Sequence, residues 1–179
     1  MHLYSSPRNL PPRLDRARAL WRSLIREPAP QPFRDDLTQT DMGDIGDDAF
    51  TLEVFDKPER FRFALVGEGL EADGVPKLEG TFLGDGPLPS PFDFLLSQAS
   101  ATVEAGQPTL YRNPGPKRYD RLLLPMWGAD RTGLLFGVID RPRATPWARL
   151  GLIQGPPHWA RLGLLQGGVR EPGTDPVSR

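Results

Sequence analysis

Residues 50–56 read FTLEVFD and residues 60–67 read RFRFALVG, and these two runs decide the fold. In the first, Phe50, Leu52 and Val54 alternate with Thr51 and Glu53. In the second, Phe61, Phe63 and Leu65 share one side. A period of two gathers apolar side chains on one face of a strand. Lys57, Pro58 and Glu59 between the runs read as a turn. The pair predicts an antiparallel hairpin.

Outward from the hairpin, residues 68–90 hold glycines, prolines and acids with short apolar pieces at Leu70, Val75, Leu78, Phe82 and Leu83. Short helical turns joined by loops fit that texture. Phe92, Leu95, Leu96, Ala99 and Val103 fall on one side of a helix over residues 91–105, which Gly106 stops. Residues 109–112 make a short strand, and NPGPK at 113–117 is a turn. Residues 119–127 (YDRLLLPMW) form a strand that bulges or ends at Pro125. Residues 129–133 turn, and LLFGVID at 134–140 is the last strand.

Toward the N-terminus, Pro11 and Pro12 open a helix, since proline is tolerated in a first turn. Leu14, Ala17, Trp21, Leu24 and Ile25 give it an apolar stripe, and Pro28, Pro30 and Pro32 end it. Residues 35–48 are an acidic loop with one helical turn. The sum is an α+β domain: a five-stranded antiparallel sheet with helices on one face, plus an amphipathic N-terminal helix. Residues 1–11 are expected to lack structure, 12–141 to form the domain and 142–179 to be a tail.

Composition removes several functions. The chain has 179 residues, a formal charge of −1 and no cysteine. Near-neutral charge provides no nucleic-acid footprint. Disulfides, thiolate catalysis and cysteine-held metals are excluded. The two histidines, His2 and His158, both fall outside the domain, so no metal site or histidine base is expected. No apolar run reaches the length of a membrane-spanning helix, and the start lacks a secretory core, so a cytoplasmic location is expected.

The order of elements is that of a PAS domain. The chain also resembles a family of stand-alone bacterial PAS-like proteins common in alphaproteobacteria. ALWRSLI at 19–25 resembles that family's leading helix. RFRFALVGEGL at 60–70, then LEGTFLGD at 78–85, resembles its strand and following turn. GQPTLYRN at 106–113, then RYDRLLLPMWGAD at 118–130, resembles its paired C-terminal strands. The linker 33–48 and the loop 71–77 depart from the family pattern. The resemblance implies binding of a small ligand or a partner protein, and dimerisation through the leading helix. It excludes a cysteine-adduct flavin, a thioester-linked coumarate and a His-ligated haem. Non-covalent flavin, a fatty or aromatic acid, or an empty cavity stay open.

A cavity in such a domain would lie between the inward sheet face and the long helix. Phe63, Leu65, Phe92, Leu96, Leu122 and Leu124 are its candidate lining, and plain core packing is the competing reading. Tyr111 and Arg121 lie next to that face; Arg121 would pair either with a ligand carboxylate or with a neighbouring acid. Trp21 and Leu24 would dock on a second copy or on the sheet, ahead of contact with a membrane surface. Asp41, Asp44, Asp47 and Asp48 lack the register of a calcium loop and read as loop and cap. Gly67, Gly69 and Gly74 lack dinucleotide-loop spacing, and no G-x-S-x-G occurs.

The tail carries a repeat. WARLGLIQG at 147–155 recurs as WARLGLLQG at 159–167, so Trp147 and Trp159 are candidate partner contacts, with a functionless duplication as the other reading. The expected function is a sensory or signalling domain, not an enzyme, that binds a small ligand or a partner and passes the signal to another protein. The alternatives are a ligand-free scaffold and a small enzyme using a carboxylate base.

Overall fold

A computed structural model describes residues 4, 8–37, 42–115 and 117–142. The strands are β1 (Ala49–Phe55), β2 (Arg60–Val66), β3 (Thr109–Asn113), β4 (Tyr119–Gly128) and β5 (Arg131–Asp140). The α-helices are α1 (Pro12–Ser23), α2 (Glu68–Ala72) and α3 (Leu95–Ala105). All strand pairs are antiparallel, in the order β2-β1-β5-β4-β3. The chain makes the β1–β2 hairpin, crosses one face through α2 and α3, and returns as the β3–β4–β5 meander. This is the expected α+β architecture.

Strand alternation gives the sheet two buried faces. Phe50, Leu52, Phe61, Phe63, Tyr119, Leu123, Leu135 and Ile139 pack on the α3 face. Ala49, Leu122, Leu124, Met126, Phe136 and Val138 pack with Leu14, Ala17 and Trp21 on the α1 face. One close approach is built in. Phe50 pairs with Gly137, and a Cβ at Gly137 would stand 2.2 Å from Phe50 Cζ. Only glycine leaves room there for the ring to lie across β5.

Helix α1 docks on its own sheet. The Trp21 indole N–H donates to Pro125 O at 2.7 Å. Strand N and O atoms of one residue point to the same edge, and β3 pairs with β4 only as far as Leu123. Pro125 thus lies beyond that pairing, where its missing N–H costs nothing and its carbonyl is free for Trp21. Of the two docking targets open to the stripe, Trp21 takes its own sheet: it is buried within its own domain, and Leu24 is half-buried.

The acidic stretch meets the basic helix. Gly43–Asp48 is a 3-10 turn, and Ile45 packs in the α1 cluster. Asp48 is fully buried and takes bonds from Arg13 and from Arg141, the latter at 3.3 Å. Arg16 pairs with Asp44 at 2.7 Å, and Arg18 with Asp15 at 2.6 Å. These arginines are met by acids of the same chain. Asp41 lies outside the described residues. Among the described residues, no helix is long and apolar enough to cross a membrane.

Three placements differ from expectation, the first being β5, which starts at Arg131 rather than at 134. The long helix starts at Leu95 rather than at 91, because Phe94 takes a left-handed backbone with φ +56° and breaks the run. Gly106, at φ +60°, ends it as expected. Residues 79–83 are not helical: they lie along the outer edge of β2. Phe63 N donates to Thr81 O at 3.0 Å, Gly80 N to Phe63 O at 2.7 Å and Leu83 N to Phe61 O at 2.9 Å.

Candidate functional site

Alternation along β4 sends Tyr119, Arg121 and Leu123 to the α3 face. Arg121 is completely buried there. A buried guanidinium is costly unless its donors are met. Its Nε donates to Gln98 Oε1 at 2.7 Å, and its two terminal nitrogens donate to Pro91 O at 2.7 Å and Asp93 O at 2.9 Å. These bonds tie the turn at residues 91–93 to β4. Gln98 is itself buried and donates to Thr109 O at 3.2 Å and Arg121 O at 3.3 Å.

The same guanidinium stands over aromatic rings. Its carbon is 5.0 Å from the Tyr111 centroid and 5.9 Å from that of Tyr119, within cation–π range. Tyr111 is the direct cross-strand partner of Arg121. The Tyr119 hydroxyl donates to Asp93 Oδ2 at 3.0 Å. Burial drives the Arg121 pKa down to about 10, against the pull of the neighbouring tyrosines. Burial also pushes both the Tyr111 and Tyr119 hydroxyls up, and the nearby Arg121 charge opposes it.

Above this buried layer is an aromatic notch. Phe94 is 65% exposed, with its ring 6.0 Å from that of Tyr111. The Tyr4 ring lies 6.2 Å from Tyr111. The Tyr4 hydroxyl donates to Phe94 O at 3.2 Å and also bonds Ser97 Oγ. Ser97 Oγ in turn reaches Phe94 O at 3.0 Å.

The candidate lining residues separate into groups. Phe63 and Phe92 meet edge to face at 5.2 Å, and Phe92 meets Phe50 at the same distance. These rings occupy the space between α3 and the sheet. Leu122 and Leu124 lie on the opposite, α1 face, because they are out of phase with Arg121 and Leu123. Leu96 is 45% exposed, on the outer side of α3. Leu65 is half-buried at the end of β2, at a small concavity it shares with Met42 and Gly67. Tyr111 and Arg121 are together, but Arg121 points into protein carbonyls rather than toward a ligand. Trp147 and Trp159 lie outside the described residues.

Sequence reasoning missed Tyr4, Asp93, Phe94, Gln98 and Tyr119 as parts of this site. Period two along 119–123 was the available signal for Tyr119, since it shares a face with Arg121. Nothing local marks the others.

A second concavity of about 580 Å³ opens at the end of the sheet, lined in part by Phe55, Glu59, Glu104, Trp127 and Arg131. Among the described residues, no group of three or more His, Asp or Glu side chains is placed to hold a metal. No protein-family model, curated protein or solved structure matches the chain.

Proposed function

We propose that the chain is a PAS-like, non-enzymatic interaction domain of the cytoplasm that signals by engaging another protein, with its core filled by its own side chains. One observation carries this reading. Phe50, Phe63 and Phe92 pack edge to face and tilted where a ligand would sit, with centroids 5.2–6.0 Å apart. Arg121 beside them spends its donors on Gln98, Pro91 and Asp93. A guanidinium so satisfied has little to gain from a ligand carboxylate.

Native mass spectrometry of the gently purified full-length chain tests the reading. The expected spectrum shows the chain mass, or its double, and no small adduct. An added small mass, lost on denaturation, overturns the filled-core reading in favour of a ligand sensor. The open cleft of about 580 Å³ is the one feature favouring that second reading, being within the usual size of ligand sites.

A further inference from the structure

The cleft at the end of the sheet is open, aromatic and unevenly charged. The β1–β2 turn, the end of α3 and the β4–β5 turn bring four carboxylates to it, Asp56, Glu59, Glu104 and Asp130, against one guanidinium, Arg131. Two of the acids are engaged within the fold: Asp56 pairs with Arg131 at 3.2 Å, and Glu59 accepts from Ser100 Oγ at 2.7 Å. Glu104 and Asp130 have no hydrogen bond or ion pair among the described residues. Neither placement helps folding. Glu104 stands in the last turn of α3, where the helix dipole disfavours an acid. Asp130 follows Ala129 in a two-residue turn, with φ of +60° and +53°, at the position where glycine is the usual choice. Between them Trp127 is half-buried, its backbone N–H held by Pro32 O at 2.6 Å.

We infer that this cleft is a docking site for an arginine side chain of a partner protein. This rests on the interaction-domain reading above and adds the partner's chemistry. Charge complementarity selects the occupant. Two unpaired carboxylates attract a cation, and the faces of Trp127 and Phe55 attract it again. A guanidinium suits both at once, since its plane lies on a ring while its fork of donors meets separate acceptors; an ammonium is a point charge. The cleft has the volume of a small-molecule site without the enclosure. Phe55 is 36% exposed, and the side chains of Arg131 and Asp56 are 40% and 56% exposed. A small-molecule site covers most of its ligand, whereas a partner protein closes an open cleft with its own surface.

An NMR titration of the full-length chain with a blocked glycyl-arginyl-glycine tripeptide tests this, with citrulline in place of the arginine as the neutral isostere. Saturable shifts are expected at the Trp127 indole N–H and at the Glu104 and Asp130 amides. The double variant Glu104→Gln, Asp130→Asn should bind the arginine peptide about fivefold more weakly or worse. Its urea midpoint should stay level or rise, because both changes relieve a cost to the fold. No saturable shift, equal binding of the arginine and citrulline peptides, or unchanged binding by the double variant overturns the inference. A lowered midpoint does so too, since the acids would then serve the fold. So does a wild-type dimer that the double variant abolishes, because the occupant would then be a second copy. A failed titration with a clean native mass defeats the cleft alone. A bound small mass with a positive titration defeats the filled-core reading alone.

Discussion

At the residue scale, Arg121 ties three pieces of chain together. Its guanidinium meets the loop carbonyls of Pro91 and Asp93 and the side chain of Gln98 on α3. Arg121→Met keeps the apolar stem but strands those three acceptors in the interior. Each buried acceptor left unmet costs about 1–3 kcal/mol, partly offset because the guanidinium no longer has to be desolvated. The expected loss is about 3 kcal/mol, read as a lower urea midpoint with an unchanged slope. Arg121→Lys should not restore it, since one ammonium cannot reach three acceptors set around a planar fork. The sequence placed Arg121 near the right face but could not reveal its partners. Those lie in residues 91–98, and the backbone turn that brings them over the sheet sits at a phenylalanine. Helical spacing of Phe92, Leu95 and Leu96 reads through such a turn, because Phe92 is apolar and buried whether or not it is helical.

At the element scale, α1 bonds to the strands through Trp21 within its apolar stripe and to the acidic turn through Arg13 and Arg16. Trp21→Phe keeps the ring but removes the donor to Pro125 O. A loss of about 1–2 kcal/mol is expected in a urea melt. The sequence showed the stripe and left its target open; Asp48, the buried acid that α1 meets, faces both Arg13 and Arg141. A second element pair works against stability. Asp120 and Asp140 stand directly opposite on β4 and β5. Burial raises the Asp140 pKa, Arg13 opposes it, and Asp120 and Asp48 add to it. The folded carboxyl therefore ionises later than the unfolded one. As pH rises through the folded pKa, the unfolded state has already released its proton and the folded state loses the advantage of holding it. Asp140→Asn should raise stability at pH 7 by less than about 1 kcal/mol, and the gain should vanish at acid pH where the native group is protonated. A gain that persists at acid pH would remove the electrostatic explanation.

At the scale of the whole molecule, the two buried faces share β1, β4 and β5, so neither can come apart without the other. Near-UV and far-UV signals should fall in one coincident denaturant transition, and Leu14→Ala on the α1 face should speed amide exchange in α3 as well. Separate transitions would mean that the α1 layer is an appendage. Each strand was legible from period two and turn chemistry, but the β4–β5 hairpin was not legible to its tip: β5 starts at Arg131 rather than at 134, inside the stretch that reads as a turn. What was not legible is which leucines look inward. Leu122 and Leu124 share phase with Phe136 and Val138, so they belong to the face that α1 covers, and nothing short of the strand order says which face that is.

The segment lying along β2 also bears on how copies of this chain can meet. The backbone bonds that Gly80, Thr81 and Leu83 make with β2 use up that border of the sheet, whereas among the described residues β3 at the far border pairs with β4 alone. Growth of an endless cross-β filament needs two free borders on every molecule. A molecule whose β2 border is sealed by its own backbone can join a second copy only through β3, and the pair then has nothing left to offer a third.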